Sequence, residues 1–283
     1  MITTHITPAR IIRNLLAFVF LPFFASIPAQ AAERDKVEAF LEITGFDIAL
    51  DSIALSAGSA PQMIGLEASA FGSDWERLAA DVFDTTEMRD MALEILTNTL
   101  SDEALSHAAG FYASDLGQRL VQAENASHMI EDDEVKQLAG ERIISDLVQD
   151  GEDRVQLFHR MSGAIGSASA GLKAIQQIQY RFLMAASAAG VIELEVDAEG
   201  LRALLKEQEG EMILAIQASA LAGNAYTYQG FSDDEVQAYV VALEEPLMQE
   251  VYELLNAVQN EITANRFELL AYRMAEMHPG QDI

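Results

Sequence analysis

Histidine, cysteine and paired carboxylates build most metal and hydrolytic centres, and this chain spaces them poorly for either. It carries five histidines and no cysteine. His107, His128, His159 and His278 never fall three or four residues from one another, so no helix presents a histidine pair to zinc, and thiolate ligands are absent. A thiol nucleophile is excluded outright, and no Gly-x-Ser-x-Gly elbow offers a serine one. Acidic oxygen is plentiful, yet the Asp-x-Asp-x-Asp-Gly spacing of a calcium loop occurs nowhere. Glu131 to Glu134 and Asp150-Gly151-Glu152-Asp153 are contiguous runs, which suit solvated helix ends better than a coordination sphere. Gly166 to Gly171 followed by Lys173 imitates a phosphate loop. The lysine comes one position late and no Ser or Thr follows it. No catalytic, cofactor-binding or metal-binding residue is therefore expected. One chemical lead remains: Phe111 and Tyr112, with Tyr226, Tyr228, Phe231 and Tyr239, are aromatic residues that either fill a core or line a groove.

The elements that would position these residues are helices. Met88, Met91, Ala92, Ile95, Leu96 and Thr99 share one helical face, with Asp84 and Glu87 spaced as a capping box before them. Leu100-Ser101-Asp102-Glu103-Ala104-Leu105 aligns without gaps on Phe231-Ser232-Asp233-Asp234-Glu235-Val236, 131 residues later. The register continues through Tyr112/Leu243, Leu116/Leu247, Gln118/Gln249 and Leu120/Val251. Each copy starts on a serine cap and continues with apolar residues at helical spacing. Ser114 and Pro246 each open a following helix.

Val155, Phe158, Ser162, Ile165, Ser169, Leu172 and Gln176 form the longest periodic stripe, flanked by small residues that would let another helix approach closely. Val191 to Asp197 alternates like a strand, but a lone strand has no partner and an extended link is expected. The expected fold is all-α, a multi-helix array built from two related helical repeats. Its divisions are a leader at 1–31, a first repeat region at 32–150, a long helix and connection at 151–197, and a second repeat region at 198–283.

The leader is read as an export signal. Arg10 and Arg13 precede an apolar run from Leu15 to Ile27, and Ala29-Gln30-Ala31 supplies a small-residue site, with cleavage expected between Ala31 and Ala32. The run is shorter than the roughly 20 apolar residues of a spanning helix, so no stable membrane insertion is expected after cleavage. Removing both leader arginines leaves 45 acidic against 15 basic side chains, a net charge of −30. That balance repels nucleic-acid phosphates and anionic membrane surfaces. A self-repelling acidic coat keeps an exported protein soluble. Without cysteine, stability must come from packing.

Leu100-Ser101-Asp102-Glu103 and Gly110-Phe111-Tyr112-Ala113-Ser114-Asp115-Leu116-Gly117-Gln118-Arg119 resemble the DUF2059 family of exported bacterial proteins. Phe111, Tyr112, Ser114, Gly117 and Gln118 match its Phe-Tyr-x-Ser-Pro-x-Gly-Gln pattern, while Asp115 stands where proline is usual. The second copy keeps Pro246 and Gln249 but has Leu243 for the tyrosine and Met248 for the glycine. The resemblance implies an all-helical, periplasmic protein of unknown function, with no catalytic residues to carry over. Taken together, the expectation is a non-enzymatic interaction or scaffold module of the bacterial envelope, with an unknown protein or small ligand as partner. Its rival is a binding protein for a small or lipid-like ligand held between the repeats. A hydrolase of envelope material, using carboxylates assembled from distant positions, comes third.

Overall fold

The computed structural model describes residues 27–65 and 74–276, with side chains from Glu33 onward. Most of the expected leader lies outside the described residues, as does His278. The Ala31–Ala32 bond falls in the opening backbone turns of the first helix, and the side chains there are likewise outside the description. Every regular element among the described residues is helical. The first half comprises α1 (Ile27–Thr44), α2 (Phe46–Asp51), a 3₁₀ segment (Ser52–Ser59), α3 (Ala60–Met63), α4 (Asp74–Val82), α5 (Thr85–Thr99), α6 (Asp102–Tyr112) and α7 (Asp115–His128). The second comprises α8 (Asp133–Asp150), α9 (Arg154–Ile165), α10 (Ala168–Ala188), α11 (Ala198–Glu207), α12 (Glu209–Thr227), α13 (Asp233–Leu243) and α14 (Pro246–Met274). The alternating stretch at 191–197 forms turns and bends rather than a strand.

Local chemistry explains the boundaries. Ser101, Ser114 and Ser232 each accept a backbone N–H three residues on, at Ala104, Gly117 and Glu235. At Ser232 the Glu235 carboxylate also accepts the Ser232 N–H, completing the capping box. Asp84 accepts the Glu87 N–H, but the Glu87 side chain turns instead to the buried Arg266 guanidinium, 2.8 Å away. Asp132 caps α8, and Gly151 closes it in the left-handed region at φ 72°. Both acidic runs therefore serve as helix ends.

The long stripe from Val155 to Gln176 is broken. α9 stops at Ile165, Gly166 and Ser167 turn the chain, and the Ser167 hydroxyl caps α10. The small residues of that stripe do not give the closest helix crossing either. A Cβ on Gly163 would meet nothing within 4 Å, whereas one on Gly140 of α8 would stand 2.1 Å from the Ala222 carbonyl oxygen of α12.

The two aligned segments have matching geometry. α6 and α13 are each 11 residues long. Ala113 N donates to Ala109 O and Glu244 N to Val240 O; Ser114 N donates to Phe111 O and Glu245 N to Ala242 O. Each second bond repeats the first at the 131-residue offset seen in the sequence. Ala108, Tyr112 and Leu120 are buried, as are their counterparts Tyr239, Leu243 and Val251. Leu105, Leu116 and Leu247 are only half-buried. The aligned positions differ in bulk, the small Ala108 standing opposite the large Tyr239 in the alignment, so the two segments pack unlike one another. α14 runs through the middle of the core, against α4, α5, α6, α9, α10 and α13.

Candidate functional site

The site lies where α6 and α7 face α13 and α14. Three tyrosine hydroxyls meet there: Tyr112 on α6, Tyr239 on α13 and Tyr252 on α14. Tyr112 Oη lies 3.0 Å from Tyr239 Oη and also bonds Tyr252 Oη, and the Tyr239 and Tyr252 oxygens are 2.9 Å apart. Tyr239 then donates to Glu124 Oε1 of α7 at 2.8 Å, and Tyr228 at the end of α12 donates to the same oxygen at 2.7 Å. The rings are held by neighbours. Phe111 stacks on Tyr239 at 5.7 Å, and Phe231 meets the edge of Tyr228 at 6.1 Å.

The backbone beneath is equally constrained. Gly117, in the first turn of α7, lies so close to α6 that a Cβ would stand 2.4 Å from Phe111 O and 2.6 Å from Tyr112 Cα. Gln118 Nε2 donates to Tyr112 O at 2.7 Å. Gly45 joins α1 to α2 at φ 71°, and a Cβ there would strike Asn125 Oδ1 at 2.4 Å. These contacts fix α7 against the α6 end and the α1–α2 turn, and so fix Glu124.

Around this network is a cavity of about 250 Å³. Phe46, Ala49, Met161, Ile165, Leu243 and Leu255 form an apolar wall, while Asn125, Asn224, Asn256 and Gln259 add amides. His128 and Asn256 are exposed and mark the rim. Glu124 is half-buried and lines the cavity. Its Oε2 has no protein partner among the described residues. Among the described residues it is the one carboxylate lining the cavity, and no lysine or arginine lines it.

Burial pushes the Glu124 carboxyl above its ordinary range, opposed by the hydrogen bonds from Tyr228 and Tyr239. Burial, and then electrostatic coupling to Tyr252 and Glu124, raise Tyr112 well above the usual phenol value. Tyr239 and Tyr228 rise for the same two reasons, burial first and then Glu124. The phenols therefore keep their protons at neutral pH and act as donors. His128, exposed at the rim but with protein on its inner side, is held low by the resulting desolvation and by Lys136.

Of the aromatic residues singled out in the sequence, the fold brings Tyr112, Tyr228 and Tyr239 together, places Phe111 and Phe231 behind them, and leaves Tyr226 out of the cavity. Sequence reasoning missed Glu124 and Tyr252. Glu124 had a signal: it lies three residues after buried Val121 and four after buried Leu120, a carboxylate on the apolar stripe of α7. The histidines stay apart. His107 Nε2 pairs with Glu245 Oε2 at 3.1 Å near the surface. His159 is exposed, and only His128 reaches the cavity. Among the described residues no three His, Asp or Glu side chains are grouped to hold a metal. None of the described helices is long and apolar enough to cross a membrane.

Residues 86–146 match the model of the DUF2059 family, described as an uncharacterized protein conserved in bacteria. That segment contains α6, α7 and the motif around Tyr112, including Glu124; Tyr228, Tyr239 and Tyr252 lie beyond it. No curated protein and no solved structure matches the chain.

Proposed function

We propose that this is an exported, periplasmic binding protein that takes a small ligand into the cavity between its two helical units, without catalysing a reaction. One observation carries the reading: Glu124, half-buried and holding two tyrosine hydroxyls on Oε1, leaves its other oxygen unpaired at a 250 Å³ space. A ligand that fills the space and brings a donor satisfies that oxygen, whereas one without a donor would bury it unpaired at a cost. Cavities of about 150 Å³ already accept benzene-sized molecules. Two-carboxylate hydrolysis needs a second acid beside the first. Glu124 has none along the cavity, which favours binding over the hydrolase reading. With α6–α7 and α13–α14 read as related units, the cavity takes Tyr112 and Glu124 from one and Tyr239 and Tyr252 from the other.

Native mass spectrometry of protein taken from its own periplasm tests this. A retained mass that is lost on unfolding is expected. Ligand-free protein whose tyrosine resonances do not move with periplasmic small-molecule extract would overturn the reading.

The interaction-module reading is favoured by one feature. Val135, Leu138 and Val148 on α8 and Leu214 on α12 are each more than half exposed. Large apolar side chains scattered singly are common on monomers, so this weighs less than the cavity. A monodisperse monomer in light scattering, with no change on Leu214→Ser, would remove it.

A further inference from the structure

We infer that the ligand is a small primary or secondary amine bound as its ammonium ion, with its N–H groups directed to Glu124 Oε2 and its apolar body against Phe46, Met161 and Leu255. This rests on the cavity being a binding site, and it follows from which hydrogen-bonding groups are already occupied.

Around the cavity the fixed donors point away from it. Tyr228 and Tyr239 give their protons to Glu124 Oε1. Asn224 Nδ2 lies 3.3 Å from Phe158 O and 3.0 Å from Ser162 Oγ, and Asn256 Nδ2 lies 2.6 Å from Ile165 O. A carbonyl accepts only a donor, so both amide groups are fixed with nitrogen toward α9. Their Oδ1 atoms are left without protein partners among the described residues. The same is true of Glu124 Oε2. Thr44 Oγ1 donates to the carbonyls of Phe40 and Leu41, which leaves its lone pairs. The lining thus offers several fixed acceptors, and only groups free to turn, such as Asn125, Gln259 and His128, could donate.

Three classes of ligand meet this lining differently. An anion would face Glu124 with no lysine or arginine to balance it. A purely apolar molecule would bury Oε2 unpaired. An ammonium ion has only donors to offer, needs several acceptors, and supplies the countercharge that Glu124 lacks. The chain as a whole carries −28, which concentrates cations near its surface before any contact forms. An apolar wall opposite the carboxylate selects an amine with a compact hydrocarbon body over a bare inorganic cation.

The test is calorimetric titration at pH 7 with three probes of one skeleton: phenethylamine, 2-phenylethanol and phenylacetate. The amine should bind at least about tenfold more tightly than either of the others, as expected for one close buried charge pair. Glu124→Gln, with its fold checked by circular dichroism, should lose that preference and bind amine and alcohol alike. Should that variant not fold, the probe series on the unaltered protein decides alone. Alcohol or acid binding as tightly as amine would overturn the ammonium assignment while leaving the cavity as a ligand site. Amine binding with an undiminished preference in Glu124→Gln would overturn the role of Glu124. No binding of any probe at millimolar concentration would also overturn the assignment. The cavity reading is then judged separately by the retained mass in native spectrometry.

Discussion

Replacing Gly117 with alanine adds one methyl group where α7 rests on the end of α6. The new Cβ would stand 2.4 Å from Phe111 O, 2.6 Å from Tyr112 Cα and 2.9 Å from Tyr112 C, where ordinary contact begins at 3.4 Å. All three neighbours are backbone, so no side-chain rotation relieves the overlap. The α6–α7 elbow must open by roughly 1 Å, the shortfall at the carbonyl, and overpacking of this kind costs about 1–3 kcal/mol. Better helix propensity returns at most ~1 kcal/mol. Gly110, exposed on α6 with nothing within 4 Å of its Cβ position, supplies the control. The same change there should stabilise by about 0.5–1 kcal/mol. Thermal melts should therefore move in opposite directions, with Gly117→Ala lower by several degrees at roughly 2–4 °C per kcal/mol. The tyrosine resonances should shift only in Gly117→Ala. A Gly117→Ala protein that melts at or above the parent would refute the close-approach argument, and with it the claim that this elbow positions Glu124.

Further expectations concern pH, packing and salt. Because burial raises the folded-state Glu124 carboxyl, its contribution is favourable below the unfolded range and is lost as pH rises through the folded value. Glu124→Gln should then gain melting temperature relative to the parent on going from pH 5 to pH 8; a constant difference in scanning fluorimetry would count against it. Tyr112→Ala, at a residue only 2% exposed, should cost about 3–5 kcal/mol in denaturant melts, against ~1 kcal/mol for the cap lost in Ser232→Ala. A Tyr112 loss below that of Ser232 would place the ring outside the core. With 45 acidic and 17 basic side chains, screening of self-repulsion should outweigh weakening of exposed pairs such as Arg160–Glu244. Melting temperature should rise as sodium chloride increases from low levels, and a fall would show that the paired arginines dominate.

Much of the helical framework is written in short-range signals. The serine caps at 101, 114 and 232, Pro246 at a first turn and Gly151 at a stop each act within a few residues, so they can be read in order along the chain. The break at Gly166 was hidden because Val155 to Gln176 keeps an unbroken apolar rhythm while the backbone turns. The side chain that steadies it, Asn256, comes 91 residues after Ile165. The site was hidden for the same reason. Its hydroxyls come from residues 112, 239 and 252, and only the crossing of α6, α13 and α14 brings them together. Tyr112, Tyr228 and Tyr239 were legible as aromatic residues near the motif, and Glu124 left a local trace as an acid on a buried stripe. Tyr252 left none, since a tyrosine on a long helix is equally suited to a core.

The tyrosine cluster also has a wiring that its distances imply. Each phenol has a single hydrogen, and that of Tyr239 is committed to Glu124. The hydrogens of Tyr112 and Tyr252 can then be arranged in two ways, with either residue passing its proton to the other and the second passing its own to Tyr239. The oxygen positions thus admit two hydrogen arrangements, differing only at Tyr112 and Tyr252. Tyr239 is the junction through which both arrangements reach the carboxylate. Removing the hydroxyl at 112 or 252 leaves a shorter chain with one arrangement and its connection intact. Removing it at 239 cuts the other two off from Glu124. Two of the three hydroxyls are interchangeable, and the third is not.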